Sequence, residues 1–570
     1  ALFFRTTSES VSSMCTCIVC SSTDTSSFRP DLNLQPLAYL WNRDQSSLLQ
    51  EMNKSGLDAI LIKVAGIELT ERDLGRSLRQ LTPKLEKLSQ LYGAHVCGEG
   101  GEYETLCLDS PLFQRRISVD ETETILHSDA AFASVSYLRI LRTSLIEKTE
   151  YGPAVLLKSI QAPPLLDDAG NASFEAVRKN LSNSTPSISM YKDADFTTWH
   201  EPTMSISRHG DWLTIADVSA PSMSFYCVSF EDEVRSAFAH VFDTLKKHDY
   251  DRTHIAHVNV YLASASYFEA FQRMYCAEFG AAPPSRSCLA LPVRSLGLRI
   301  KLDVVACRPA SFPRERRALH VRSQGYWVPA SLGPFSQAVS DHHRIYMSGQ
   351  IGLRPATLDL PDDVALQLAL SVQHQQRIVD AVSEWGACVH VEGGICWLSP
   401  PDGLDMTQST LSLHQKAEPL LFVYLPSKSI TKHACCEWQL TARLFDEKRE
   451  VGLRAKEIRS DGITCCYSMC EYDDSTSLTS GIALFSLVGD DVSFTTHVDG
   501  AWLELRQAMK SALHLKLIYD THESLGVIYD IVRKVLSPPL PATTTVPVLG
   551  WQLPGKGILN GPNKCALVWT

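Results

Sequence analysis

The sequence predicts a mixed α/β protein of several domains, on three observations. The 570 residues suffice for several cores of the usual ~100–200 residues each. Short apolar runs of strand length alternate with stretches of helical spacing along most of the chain. One β-α-β order occurs twice, over 205–310 and again over 322–445, as an internal duplication would leave it.

Residues 1–33 carry no recognisable motif and read as disordered. Over 34–150, GLDAILIKVA reads as a helix end, a glycine and a buried strand. LGRSLRQLTPKLEKLSQLYG carries apolar residues at helical spacing and stops at Gly93. HVCGEG and TLCLDS supply short β-like runs, and in the less decisive stretch 129–200 VSYLRILRTSLIEK and AVLLKSIQA fit strands. The Ser/Asn-rich LDDAGNASFEAVRKNLSNSTPS makes 151–204 a linker. In the first repeat, DWLTIADVSA and HIAHVNVYLA are strands. EDEVRSAFAHVFDTLKKHDY is an amphipathic helix with Val234, Phe238, Val241, Phe242 and Leu245 on one face. YFEAFQRMYCAEFG is a second helix and LGLRIKLDVVAC a closing strand. The second repeat offers RIYMSGQIGL, a helix from Val364 to Trp385, VHVEGGICWL and the strand ACCEWQLTA. Residues 446–570 read as an extension with one helix near 500–515 and another near 522–536.

Composition narrows the function. Hydrophobic residues are 44% and charged residues 21%, ordinary values for a globular protein. A net charge of −11 argues against a nucleic-acid or membrane surface, which would repel an acidic body. No apolar run approaches the ~18–20 residues that span a bilayer, and ALFF is too short for a signal-peptide core. The 17 cysteines are scattered and odd in number. Cys97, Cys107, Cys288 and Cys307 sit in apolar strand-like runs, which suits reduced, buried thiols in a cytoplasmic protein. Cys15, Cys17 and Cys20 form a C-x-C-x-x-C cluster, but no second ligand pair at zinc-finger spacing follows, so no metal is expected.

The stretch HVCGEGGEYETLCLDSPLF, 95–113, places Glu99, Glu102 and Glu104 around Gly98, Gly100 and Gly101. Glycine permits tight turns and close approach of the backbone to a ligand. Clustered carboxylates at such a turn can orient a cation, an amine or ammonia. The alternative is an acidic surface turn between two strands. Lys63, inside the apolar ILIKVAG, calls for an acidic partner such as Glu99 or for a ligand. His95, His127 and the pair His342-His343 read as packed or solvent-exposed histidines.

Together with PLAYLWNRDQSSLLQEM at 36–52, GLDAILIKVAG at 56–66 and VDETETILHSD at 119–129, the GEGGEYET word closely resembles the diphthine–ammonia ligase family. The resemblance is dense from Leu34 to His127. It implies a Rossmann-like nucleotide-binding domain of the PP-loop, ATP-pyrophosphatase type. The implied reaction is ATP-dependent amidation, with Mg2+ and with ammonia as co-substrate, of diphthine on elongation factor 2 in the cytoplasm. Glu99, Glu102 and Glu104 then become catalytic candidates. Gly100, Gly101, Tyr103 and Thr105, with Lys63 and Trp41, become substrate-side candidates. The family's SGGKDS-like phosphate loop has no counterpart here, and the chain starts at Ala1, so an N-terminally truncated ligase domain is expected.

The two repeats resemble the Rid family, also called YjgF/YER057c/UK114, a small chorismate-mutase-like α+β fold that usually forms trimers. PPSRSCLALPV at 283–293 carries the likeness in the first, and LGPFSQAV at 332–339 with MSGQIGL at 347–353 in the second. The resemblance implies an arginine that holds a substrate carboxylate and an acid near the closing strand, in enzymes that hydrolyse enamines and imines. Arg286 stands in the arginine's place, Lys301 in the acid's, Gln272 in that of a common asparagine and Phe335 in that of a tyrosine. Either both repeats are scaffold, or Arg286 of one faces Phe335 and Ser348 of the other in a composite carboxylate pocket. The non-ligase readings are therefore a small-molecule binding or assembly module, or an imine deaminase, with a homo-oligomer formed through these units.

Overall fold

The computed structural model describes residues 37–569 except 42, 67, 131–132, 160–161, 184–196, 199–203, 221–228, 280–281, 292, 295–297, 309–314, 387, 402–405, 407–419, 446, 448–450, 461–462, 472–479, 488–501, 511, 513, 521–527, 529–531, 533–541, 549 and 553–562. The Cys15/Cys17/Cys20 cluster, and most of the helix expected near 522–536, lie outside the described residues. The chain divides into two compact units, 1–165 with 325–327, and 166–324 with 328–570.

The first unit contains α1 (Gln45–Lys54), β1 (Asp58–Ala65), α2 (Leu78–Tyr92), β2 (Tyr103–Asp109), β3 (Arg115–Ala130), β4 (Ala133–Glu147) and α3 (Pro153–Ser159). The Asp44 side chain caps α1 by accepting from the Ser47 N–H. Ser77 and Gln80 close a capping box on α2, which ends at Gly93 with φ +69°. The leucines at 81, 85 and 88 put one face of α2 into a core with Leu49, Leu61, Val64 and Tyr103. The sheet order is β2-β1-β4-β3 with antiparallel pairing throughout. The parallel sheet of a Rossmann-like domain is not among the described residues. AVLLKS, expected as a strand, is the helix α3.

The second unit opens with α4 (Asp168–Asn183), a helix where the polar sequence suggests a linker. Its Val177 is fully buried, and Arg377 reaches the neighbouring Asp167 at 3.3 Å. Then follow β5 (Thr197–Thr198), β6 (Ser205–His209), β7 (Trp212–Val218), α5 (Phe230–Lys247), β8 (Ile255–Leu262), α6 (Phe268–Glu278), β9 (Ser285–Ala290), β10 (Val293–Arg294) and β11 (Ile300–Cys307). The next stretch holds β12 (Arg317–Leu319), β13 (Ala338–Asp341), β14 (Arg344–Met347), α7 (Val364–Ser383), β15 (Cys388–Leu398), β16 (Leu420–Tyr424) and β17 (Cys436–Phe445). The last holds β18 (Gly452–Ser460), β19 (Ile463–Glu471), β20 (Gly481–Leu487), α8 (Leu503–Lys510), β21 (His514–Asp520), β22 (Ala542–Val548), β23 (Gly550–Gln552) and β24 (Asn563–Trp569).

These elements make one plan three times. The first sheet runs β6-β7-β11-β8-β9, the second contains β13-β14-β17-β15-β16, and the third contains β19-β20-β24-β21-β22. In each, a hairpin leads through a helix to a strand that pairs in parallel with its successor (β8 with β9, β15 with β16, β21 with β22). The closing strand then inserts antiparallel between hairpin and pair. Residues 446–570, expected as an extension of their own kind, thus carry a third copy.

Each sheet buries alternate residues in two directions. Val258, Val260, Leu302 and Val304 face α5 and α6 in the first copy, and Cys465, Phe485, Leu515 and Leu517 face Trp502, Leu505 and Met509 in the third. The opposite faces meet in one shared core that joins Tyr261 and Leu289 to Trp397 and Leu421 and to Ile482, Ile518 and Ala566. No helix among the described residues is long and apolar enough to cross a membrane.

Candidate functional site

The acidic turn links α2 to β2. Gly98 has φ +79°, and a Cβ there would lie 2.8 Å from the Tyr103 ring. A Cβ on Gly100 would lie 2.5 Å from Glu102 Oε1. At Gly98 the positive φ and the Tyr103 ring both call for glycine, whereas at Gly100 a Cβ would push the Glu102 carboxylate from its place. The backbone N–H of His95 donates to Glu102 Oε1 at 2.8 Å. His95 Nδ1 in turn accepts from the N–H groups of Cys97 (3.2 Å) and Glu99 (3.4 Å). The buried Tyr103 hydroxyl donates to the Val96 carbonyl at 2.7 Å. Glu102 is 8% exposed and its Oε2 has no hydrogen-bond partner, a costly arrangement for a carboxylate.

The expected residues separate in this frame. Gly100, Glu102 and Tyr103 come together, with Glu102 and Tyr103 buried, while Glu99, Gly101, Glu104 and Thr105 are exposed. Lys63 Nζ meets Glu104 at 2.7 Å rather than Glu99, because the register of β1 on β2 places Lys63 opposite Glu104. Both partners are more than one-third exposed, so that pair contributes little. Trp41 packs edge-on against Trp327, with ring centroids 4.7 Å apart.

A second cluster lies between the first two copies. The Arg286 N–H donates to Ser348 Oγ at 2.7 Å, and the Gly349 N–H donates to the Arg286 carbonyl at 3.1 Å. The guanidinium carbon stands 4.6 Å from the Tyr275 ring centroid and 4.9 Å from that of Phe335. Its Nη2 donates to Gln272 Oε1 at 2.9 Å, while the buried Nη1 has no hydrogen-bond partner. The structure thus brings Arg286, Phe335 and Ser348 together.

Glu437 completes this cluster and was missed in the sequence. It accepts from Ser287 Oγ at 2.6 Å. Burial pushes its carboxyl up to about 7, against the lowering effects of the Ser287 hydrogen bond and the Arg286 charge. Gly349 packs against it so closely that a Cβ would meet Oε1 at 1.9 Å. Glu437 pairs with Trp397 as Lys301 pairs with Tyr261, so the two occupy the same register in their copies. Lys301 is turned instead onto Asp217 Oδ1 (2.5 Å) and the Thr545 carbonyl (3.1 Å). Glu437 of the second copy thus stands beside Arg286 of the first, at the register that Lys301 occupies in its own copy. The signal for it was the ACCEWQLTA strand read against LGLRIKLDVVAC.

A buried polar network joins all three copies. Lys516 Nζ donates to Asn259 Oδ1 (3.0 Å) and Gln439 Oε1 (3.3 Å). Burial lowers Lys516 to about 8, and lowers His257 and His514 to about 3 each. Beside the network is a small cavity lined by Gly394, Thr441, Ser480, His514 and Lys516.

The first unit thus carries a turn-borne carboxylate on an antiparallel sheet, and the second is a threefold-repeated α+β body with a buried arginine–glutamate cluster. Residues 44–141 match the family model for the diphthamide synthase C-terminal domain. The chain is 33% identical over 415 residues to a diphthine–ammonia ligase of Schizosaccharomyces pombe, covering 72% of this chain and 66% of that one. To the Danio rerio diphthine–ammonia ligase it is 57% identical over 120 residues, 21% of this chain and 47% of that one. Over 54 residues it is 41% identical to the Escherichia coli 2-iminobutanoate/2-iminopropanoate deaminase, 10% of this chain and 42% of that one. A solved chorismatase aligns at 12% identity and TM-score 0.33, over 55% of this chain and 85% of that one. The chain belongs to the diphthine–ammonia ligase family. It spans about half to two thirds of the length of these curated ligases.

Proposed function

We propose that the protein is a diphthine–ammonia ligase that converts diphthine on elongation factor 2 to diphthamide in the cytoplasm, using ATP and ammonia. The supporting observation is the buried carboxylate of Glu102, inside the family-matched stretch, with one oxygen fixed by the His95 N–H and the other unpartnered. Such an oxygen is placed to hold an ammonium ion or amine and to accept the proton released as the new C–N bond forms. Gly98 and Gly100 let the turn close over it, and Tyr103 fixes the turn from within. Glu99, Glu104, Gly101 and Thr105 form the exposed rim toward a protein substrate. Lys63 holds Glu104, and Trp41 belongs to the same unit at a separate position.

ATP does not fit the described part of the first unit. The N-terminus of α1 is capped by the Asp44 carboxylate, which repels phosphate, and that of α2 is closed by Ser77 and Gln80. In this reading the PP-loop half, with ATP and Mg2+, falls to residues outside 44–141. The test is amidation of diphthine-bearing elongation factor 2 by the chain with an SGGKDS-loop segment of the family fused ahead of residue 34, read by mass spectrometry. We expect a product that depends on ATP and ammonium and that falls at least about 100-fold with Glu102→Gln. No product from the folded chain, or full activity in the variant, overturns the reading.

A second reading rests on one observation, the buried Arg286 Nη1 without a hydrogen-bond partner in a cluster that also holds Glu437. A planar guanidinium with a free N–H suits a small carboxylate. A carboxyl poised near neutrality suits proton transfer to or from an imine or its attacking water. The second unit would then bind small 2-oxo or 2-imino acids, and deamination there would be detected as ammonia released from a freshly generated imino acid.

A further inference from the structure

Where the first two copies meet, the end of β11 and the β13–β14 turn bring three metal-ligand side chains together. Cys307, Asp341 and His342 each offer one ligand atom, and these atoms lie within 4.8 Å of one another. Cys307 and Asp341 are 0% and 1% exposed. His342 is half-buried and adopts φ +50°, a left-handed turn conformation that aims its ring back toward β11. We propose that Cys307, Asp341 and His342 form a zinc site that clamps the first copy to the second.

The donor set suits that ion. Thiolate, imidazole and carboxylate are the three side-chain ligand types of tetrahedral zinc, and one thiolate with one carboxylate neutralises its charge. Bond lengths of about 2.0–2.3 Å require the ligand atoms to draw in by only part of their present separation. His342 Nε2 lies 3.2 Å from the Arg308 carbonyl, and a hydrogen bond there leaves the other ring nitrogen as the lone-pair donor. Asp211, with a carboxylate oxygen 3.9 Å from the same Nε2, supports the imidazole from the edge away from the metal, which leaves the fourth position to water. Residue spacing in the sequence hides the site, since the ligands come from two copies and only two are adjacent.

Two groups oppose binding. Burial, with Asp341 and Asp211 nearby, holds the Cys307 thiol well above its ordinary range. Zinc must therefore displace the thiol proton to solvent as the S–Zn bond forms. Arg316 Nη1, 3.9 Å from Asp341 Oδ2, is the present counter-ion and must yield part of that role. The competing account is an interface held by Arg316 and Asp341 alone.

The test uses the full chain with Cys15, Cys17 and Cys20 changed to Ser, which removes the N-terminal thiols. The protein is stripped with chelator and titrated with Co2+, and the thiolate-to-cobalt charge-transfer absorption is followed. Zinc retained after gel filtration is measured by atomic emission. The proposal expects one metal per chain with the thiolate band, and displacement of cobalt by zinc. It expects Cys307→Ser to abolish the band, and His342→Ala to weaken binding by more than the roughly tenfold cost of an outer-shell partner. Retention unchanged in His342→Ala, or no thiolate band in the parent, overturns it. His342 is half-buried, so that variant keeps the test decisive even where Cys307→Ser fails to fold.

Discussion

Removing the Arg286 side chain tests the composite cleft at its most exposed assumption. The guanidinium is already engaged by Gln272 through Nη2 and flanked by Tyr275 and Phe335, which leaves Nη1 for a ligand. A hydrogen bond to a charged group is worth about 1.5–3 kcal/mol, so Arg286→Ala should weaken binding of 2-oxobutanoate by about 10- to 150-fold. Arg286→Lys should recover only part, because an ammonium lacks the planar fork. The variant also loses cation–π contacts worth about 0.5–2 kcal/mol and frees Glu437 from a stabilising charge, so its carboxyl should titrate higher still. Calorimetry at pH 7 and pH 8, with near-ultraviolet dichroism to confirm folding, reads both effects. Equal affinity in the parent and the alanine variant, or no binding by the parent, would refute a carboxylate pocket at Arg286.

Three further substitutions probe other parts of the molecule. Glu437 carries a folded-state value near 7 against an ordinary 4.5, so the folded protein binds a proton between those limits that the unfolded chain lacks. Stability then falls as pH rises from about 4.5 to 7, and Glu437→Gln should stabilise by up to about 3 kcal/mol at pH 8, with the gain fading below pH 7 and gone near pH 4.5 in urea titrations. His374 is buried on α7 with Nε2 2.8 Å from the Leu353 carbonyl, and burial lowers it to about 3. The unfolded chain takes up that proton below about 6.5, so between pH 7 and pH 5 the parent should lose about 2 kcal/mol more than His374→Gln. Gly100→Ala drives a Cβ to 2.5 Å from Glu102 Oε1 and should displace that carboxylate from His95. Amidation should then fall at least about tenfold while the melting temperature moves by only a few degrees.

Much of this architecture is legible along the chain, and the exceptions have physical causes. Strands such as HIAHVNVYLA and the helix around Phe238 announce themselves because each buries a continuous or periodic apolar face. The helix α4 hides because its composition is that of a loop, and only tertiary burial of Val177 and the Asp167 region against α7 makes it an element. AVLLKS was ambiguous at its length, where a short apolar run fits strand or helix equally. The third copy lacks the family words, yet its plan is written in period-two runs: ITCCYSMC sends Cys465, Tyr467 and Met469 to one core, and HLKLIYD sends Leu515 and Leu517 there. In the acidic turn, spacing brought out all three glutamates alike. The difference between buried Glu102 and exposed Glu99 and Glu104 depends on the approach of Gly100 and Tyr103, which spacing does not carry. Lys63 called for an acidic partner, but a register shift in the β1–β2 pairing decides that it is Glu104.

Triplication also accounts for why equivalent positions between the copies now hold different residues. At each of these junctions the second strand of the parallel pair comes from one copy and the closing strand from the next. Between the first and second copies these supply Arg286 and Glu437, opposite in charge and suited to a carboxylate and a proton. Between the second and third, strand pairing sets Leu420 in the register of Arg286, since Gly394 pairs with Leu420 as Val258 pairs with Arg286. Between the third and first, the acid's position is Lys301, and its charge is spent on Asp217 and the Thr545 carbonyl. A homotrimer cannot vary its three clefts separately, because one substitution changes all of them. A chain that carries the three copies in series can convert two clefts into packing and ion pairs and keep the third polar and incompletely hydrogen-bonded. The unpartnered Nη1 of Arg286 persists in the first cleft, whereas Lys301 in the last is satisfied on every side the structure describes. On that physical ground, the proposed small-molecule binding should depend on Arg286 and not on Lys301.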